Sequence, residues 1–370
     1  MTPRGACPSL AVPMQTGDGL LLRAPACDWT PAMALAIARS AAAFGNGVVE
    51  ITARGNLQLR GLRPETAGPC GESLVALGIA DAPAVMAGPL AGRDPLELAD
   101  PRGIAAAVAA SWPEGLAPKT SVVVDGGGAL HLDAVAADLR LVAMEEGGWL
   151  LGLDGVTTRW LARVDSTGAA EAVLRQLRRL GTRRARDMPV ESGTTPPPAR
   201  APAEPIGRHA AGAIGVAGAF GTLDAPVLAA FAEALPPQAL LRPAPGRALL
   251  VLGIGVEEGG TLLATAGRLG LVTDPSDPRR RIAACPGAPA CASAEAATRP
   301  LAAALAALPD LPGMLHVSGC AKGCAHPGPA AITLVGRDGG FGLVRAGGPR
   351  DLPACHLAPG EVAAALRDWR

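Results

Sequence analysis

Cys285, Cys291, Cys320 and Cys324 constrain this chain more than any other feature. They stand as Cys-x5-Cys in "CPGAPACASAEA", then a gap of 28 residues, then Cys-x3-Cys in "SGCAKGCAHPGP". A fold that brings the two loops together presents four soft thiolates, which suit either zinc or a [4Fe-4S] cluster. Structural zinc favours pairs two to four residues apart, because one tight knuckle must offer both sulfurs to a single ion. A five-residue spacer is loose for zinc and fits a cubane, whose iron corners loops can approach from different sides. Gly287, Gly319 and Gly323 permit close backbone approach and leave amides for cluster sulfides. The bland alternative is a set of buried thiols or a zinc knuckle.

The remaining composition narrows the function. At 370 residues the chain exceeds what one core usually supports, so two or more domains are expected. Tyr is absent and Phe numbers four, which leaves few platforms for stacking bases and argues against nucleic acid. Lys+Arg and Asp+Glu are both 33, so no overall field draws in DNA or an anionic membrane, and an anionic ligand must be met by a local cluster. The N-terminal residues lack a signal-like apolar region, and no run approaches 18 apolar residues, so a cytoplasmic protein is expected. Eight cysteines in a reducing compartment point to ligands or redox groups rather than disulfides. Cys7, Cys27 and Cys70 are scattered and read as core or loop residues.

Along the chain, "ESGTTPPPARAPAEP" (residues 191–205) cannot hold a helix or strand and reads as a connector. Upstream, "PAMALAIARSAAAFG" is helix-like and "GVVEITARGNLQLRGL" is strand, Arg-Gly-Asn turn, strand. Downstream, "DAPVLAAFAEALP" and "QALLRPAPGRALLVLGI" repeat that order about 190 residues later, which suggests an internal duplication. Each copy is followed by alternating strands and helices. "KTSVVVDGGGALHL" reads as two strands around a glycine turn and "AAEAVLRQLRRL" as an amphipathic helix. "RPLAAALAAL" is a helix ended by Pro309, and "MLHVSGC" a strand running into the cysteine loop. "RQLRRLGTRRARD" (175–187) reads as an exposed helix face and its exit. "DGGGAL" lacks GxGxxG spacing, so no nicotinamide or flavin site is expected within the chain.

"CPGAPACASAEA" followed by "HVSGCAKGCAHP" resembles the cluster-binding signature of the sirohaem sulfite and nitrite reductases. "GLLLRAP", "ITARGNLQLRGL" and "LAPKTSVVVDGGG" support the likeness, which spans almost the whole chain. Within that superfamily, "GACPSLAVPMQTGDGLLLR", "FGNGVVEITARGNLQLRGL", "GCAKGCAHP" and "ITLVGRDGGFGLVRAGG" are similar to the precorrin-3B synthase family of aerobic cobalamin biosynthesis. The resemblance implies an α+β fold, with two ferredoxin-like half-domains at 8–70 and 206–268, related by a pseudo-twofold. Two α/β domains, at 95–188 and 275–370, would carry cluster and substrate pocket, with 189–205 as linker.

By resemblance, the activity is an O2-dependent monooxygenation and γ-lactone formation on precorrin-3A. The cluster, bound by Cys285, Cys291, Cys320 and Cys324, would deliver electrons. NAD(P)H would supply them indirectly, through a separate reductase or ferredoxin. Precorrin-3A is a polycarboxylate, and its recognition calls for several Arg or Lys heads. Arg23, Arg54, Arg60, Lys119, Arg242, Arg247 and Lys322 lie in or beside the family-like motifs of both halves, and a pseudo-twofold would gather them around one pocket. The bland reading of each is a solvated surface charge. The resemblance also implies a mononuclear non-haem iron, for which His326, His316 and His209 are candidate ligands and Cys355 a further one. The alternatives are a sirohaem-dependent sulfite or nitrite reductase, with Cys324 bridging cluster and haem, and a non-catalytic iron–sulfur or tetrapyrrole-binding protein.

Overall fold

The computed structural model describes residues 7–155, 157–188, 193–210, 212–308, 313–326 and 328–367. Pro309 and residues 189–192 of the expected linker lie outside that set. Four sheets make up the described molecule, two of them antiparallel and two mixed. The likeness between the two halves of the sequence becomes a repeated topology in space.

Each antiparallel sheet belongs to one half-domain. The first contains Met14–Thr16, Gly19–Ala24, Leu57–Leu62 and Val48–Ile51, and the second Gly207–His209, Ala213–Ala217, Ala248–Leu252 and Leu240–Ala244. A helix lies against each: Pro31–Phe44, started by Thr30, whose hydroxyl accepts from the Met33 amide, and Ala225–Glu233 with Pro226 in its first turn. The two helices pack on each other. Ile37, Val49 and Leu59 of one half share a single buried core with Leu228, Phe231 and Leu249 of the other. Removing each such side chain from water contributes roughly 1.5–3 kcal/mol, so the halves stabilise one another.

The halves also exchange backbone. The strand Thr222–Asp224 of the second half completes the first sheet beside Val48–Ile51. In return, Trp29 of the first half makes paired 2.8 Å hydrogen bonds with Leu241 of the second. In both cases the segment entering a helix pairs with the other half's strand, which fixes the helices face to face.

The two mixed sheets have the same order and directions. Val85–Ala87, Val122–Asp125 and Leu139–Ala143 run parallel, followed by antiparallel Trp149–Asp154 and Thr158–Val164. In the second copy Ile282–Ala284, Leu315–Ser318 and Ala330–Arg337 run parallel, followed by Gly340–Gly347 and Cys355–Leu357. The helix Pro64–Ala76 runs past residue 70, and the first mixed sheet starts ahead of residue 95.

Two local expectations are corrected. "DGGGAL" is not a hairpin turn between strands: only Val122–Asp125 is a strand. The glycines are needed for close approach, since a Cβ on Gly126 or Gly128 would collide with the 94–99 loop, and Asp125 accepts the Gly127 and Leu132 amides instead. The basic run 175–187 is only partly a solvated face. Arg178 is exposed beside Glu171, but Arg184 holds the buried Asp138 carboxylate at 2.7 and 2.8 Å. The connector is also tied down, with Arg200 bridging Asp125 and Asp133 and Glu204 pairing with Arg280. Among the described residues no helix is long and apolar enough to cross a membrane.

Candidate active site

The four spaced cysteines converge because two strand ends lie side by side. Ile282–Ala284 and Leu315–Ser318 are parallel neighbours, and each releases its loop at the same edge. A chain leaving parallel strands at their carboxyl ends places both loops over one crevice. The Gly319 amide donates to Cys285 Sγ at 3.2 Å, Thr298 Oγ1 donates to the Cys285 carbonyl at 2.6 Å, and the Cys291 amide bonds the Gly287 carbonyl at 2.8 Å. Lys322 Nζ reaches Ser293 Oγ at 2.7 Å and ties the two loops together.

The first half-domain closes over this crevice. The Ala292 amide donates to the Gly17 carbonyl at 2.8 Å, and a Cβ on Gly17 would collide with Cys291 Sγ. Gly17→Ala is therefore expected to displace Cys291 and cut retained metal at least several-fold, with far-UV circular dichroism unchanged. Metal and sulfide assay of the anaerobically purified variant measures it, and full retention would mean that the Gly17 contact does not matter.

All four cysteines line a cavity of about 690 Å³ together with Arg23, Arg60, Arg247, Lys322, Asp18, Glu50 and Gln58. Arg60 is held by Asp18 at 2.7 and 2.9 Å and by Glu50 at 3.2 Å. Although burial opposes the charge, these carboxylates keep its guanidinium firmly protonated. Arg23 differs. With its amide oxygen turned toward it, Gln58 accepts from Arg23 at 2.5 and 2.7 Å, and burial lowers the arginine's affinity for its proton. A cation bonded to a neutral amide retains attraction for an incoming carboxylate. Arg247 donates to the Ala325 carbonyl at 3.1 Å and lies 3.9 Å from Glu50.

Three of the seven expected basic residues lie elsewhere. Arg54 donates to the Ala136 carbonyl at 2.8 Å, and Arg242 grips Asp28, at 2.7 Å for one of its two bonds. Both line a separate cavity of about 320 Å³ with Arg102. Lys119 is exposed at a left-handed position, φ +69°, and lines neither cavity. The duplication explains the separation. Arg54 and Arg247 occupy equivalent turns, and each donates to a carbonyl of the mixed-sheet domain that follows its own half.

Sequence reading missed Arg299. It opens the helix Thr298–Ala306, its Nε is buried without a hydrogen-bond partner, and burial lowers its proton affinity while Glu50, Asp18 and Cys285 oppose that. One arginine at a helix start carries no sequence signal; only the placement of that helix behind Cys285 brings it to the site.

The cysteine set is open. Among the described residues the only trio of His, Cys, Asp or Glu ligand atoms within 4.8 Å of one another is Asp125, His131 and Asp133, where Arg200 already bridges the carboxylates. No three of the four sulfurs approach that closely, whereas tetrahedral zinc with Zn–S of about 2.3 Å needs its sulfurs about 3.8 Å apart. Burial, then the neighbouring cysteines, pushes the Cys324 thiol up, against the opposing charge of Arg60. The set fits a group larger than one ion.

Of the histidines, His316 and His326 are neighbours, with ring centroids 5.7 Å apart. His209 bonds the Pro205 carbonyl at 3.0 Å and lines another, small cavity. Cys355 is exposed on the last strand of its sheet.

Residues 12–77 match the family model of the nitrite/sulfite reductase ferredoxin-like half domain. The whole structure superposes on Mycobacterium tuberculosis NirA with a TM-score of 0.69, covering 93% of this chain and 79% of NirA at 22% identity. The architecture is thus that of the nitrite and sulfite reductases. A precorrin-3B synthase from Sinorhizobium sp is 42% identical over 404 residues, spanning 98% of this chain and 87% of that protein. The chain belongs to the precorrin-3B synthase family, oxidoreductases of cobalamin biosynthesis.

Proposed function

We propose that this enzyme hydroxylates precorrin-3A with O2 and closes a γ-lactone on it, with electrons passing through a [4Fe-4S] cluster held by Cys285, Cys291, Cys320 and Cys324. One oxygen atom enters the substrate and the other leaves as water, consuming two electrons and two protons. NAD(P)H is the ultimate source of the electrons, through a separate reductase or ferredoxin. The cluster, when bound, supplies single-electron transfer.

The observation that carries the reading is the shared cavity, lined by the four cysteines together with Arg23, Arg247 and Lys322. Its volume of about 690 Å³ lies within the range of pockets that bury drug-sized ligands. The chain's own residues have separable tasks. Arg23 and Arg247 bind and orient substrate carboxylates, Lys322 guards the edge where the cysteine loops meet, and the Arg60–Asp18–Glu50 triad keeps the wall rigid.

Arg247→Ala is expected to weaken anaerobic precorrin-3A binding by about ten-fold or more, since a charge-assisted contact contributes roughly 1.5–3 kcal/mol. Arg54→Ala should leave affinity unchanged, because its side chain lines the other cavity. Titration followed through the substrate's visible absorption reads both, and equal affinities would refute the assigned pocket. O2 and reductant are then added to the wild type. Absence of oxygenated product would sink the monooxygenase reading, and sirohaem bands surviving gel filtration would favour a sulfite or nitrite reductase.

A further inference from the structure

Arg299 brings a positive charge to the cysteines without a counterion of its own. Its Nε is buried and unbonded. Glu50, Asp18 and Cys285 attract its charge and Arg60 opposes it, all through space rather than through hydrogen bonds. Both carboxylates are already engaged, since Asp18 and Glu50 each accept from the Arg60 guanidinium. A guanidinium keeps its proton under all conditions in which proteins fold, so burial strips solvent from a permanent charge and does not remove the charge. Desolvating an unpaired charge costs free energy that a Gln or Leu at this position would avoid.

The fold holds that charge in place. Thr298 is fully buried and donates its hydroxyl to the Cys285 carbonyl at 2.6 Å. Gly287 has a φ of +67°, and a Cβ there would stand 2.3 Å from Thr298 Oγ1 and 2.6 Å from the Thr298 amide nitrogen. The loop between Cys285 and Cys291 therefore lies directly against the start of the helix Thr298–Ala306, whose Ala302 and Leu305 are anchored in the core. A helix start carries partial positive charge, and Arg299 in the first turn adds a full one. The side chain does not line the cavity that contains Arg23, Arg247 and Lys322, so its charge is not taken up by a ligand held there.

We propose that Arg299 raises the reduction potential of the four-cysteine centre, its unneutralised charge favouring the reduced, more negative state. This role rests on the reading of that centre as a [4Fe-4S] cluster. Cluster potentials follow net charge, hydrogen bonds to sulfur and solvent exposure. Reduction adds one electron, supplied by the donor reductase or ferredoxin, and with it one negative charge. A fixed cation in a poorly solvated setting stabilises that added charge more than it would in water. Lys322 is less suited to the task, because it is exposed and its field is screened by solvent and salt.

The experiment uses the full-length protein purified anaerobically. Iron and acid-labile sulfide are assayed, and the midpoint potential is read by mediated dithionite titration, followed through visible bleaching and electron paramagnetic resonance of the reduced cluster. Arg299→Gln is expected to keep its iron and sulfide but to lower the reduced-to-oxidised ratio at a fixed potential about ten-fold, equivalent to about 59 mV for one electron. Arg299→Lys, which retains the charge, should stay near the wild-type potential, as should Arg178→Gln on the exposed helix face beside Glu171. Should Arg299→Gln fail to hold the cluster, Arg299→His decides, because it presents both charge states in one protein. Relative to wild type its potential should be lower in base and should recover as the pH falls through the imidazole value, about 6.5 when unperturbed. A cluster-bearing Arg299→Gln at the wild-type potential, an Arg299→Lys as low as Arg299→Gln, or an Arg299→His that tracks wild type at every pH overturns the role and leaves the cluster reading intact. Wild type that holds no sulfide removes the cluster reading, and the role falls with it.

Discussion

Serine in place of any one of Cys285, Cys291, Cys320 or Cys324 is expected to strip the protein of at least nine-tenths of its iron and sulfide. A serine oxygen is a hard ligand and a poor match for iron that soft thiolates hold. The four positions should not differ in kind, because all four sulfurs line one cavity and their loops are cross-tied by Lys322 and Ser293. Cys7→Ser and Cys70→Ser should keep full metal content, since neither residue reaches that cavity. Iron and sulfide assay with the visible spectrum, taken on anaerobically purified protein, provides the comparison. A single serine variant of the four with undiminished iron and sulfide would remove that cysteine from the site.

Arg60→Met should destabilise the fold by about 3–5 kcal/mol, the usual consequence of leaving a buried charge without its partner. Asp18, whose side chain is 1% exposed, has its ion pair with that guanidinium, and Glu50 would keep only the longer 3.9 Å contact with Arg247. Urea unfolding at neutral pH measures the loss, and Arg60→Met combined with Asp18→Asn should recover part of it. A change below about 1 kcal/mol would mean that the triad contributes no more than a surface pair. The pH dependence has a defined sign. Burial tends to raise the Asp18 carboxyl, but the Arg60 hydrogen bonds prevail and hold it below its ordinary value of 3.8. Its stabilisation is therefore complete above that value and is lost as the pH falls through the lower folded-state value. Wild type should lose this increment only in strong acid, and Arg60→Met should show no corresponding step.

The sequence by itself determined the local elements and the family. Apolar periodicity located the helix Pro31–Phe44, and turn residues located the two strand pairs that end at Arg54 and at Arg247. These are decided within a few residues by backbone sterics and side-chain alternation. The cysteine spacing marked the loops of the candidate site for the same reason, since a tight loop limits how far apart its sulfurs can stand. Placement between distant segments was decided only by the tertiary structure. Arg54 and Arg247 look alike in sequence, yet each turns toward its own half's mixed-sheet domain and they line different cavities. Arg299 and Gly17 meet the cysteines only because a helix start and a hairpin from different domains close over them. His316 becomes a buried, unpaired imidazole through the parity of one strand and the loop that folds across it. Such outcomes depend on the burial and mutual orientation of separate segments, which local propensity does not encode.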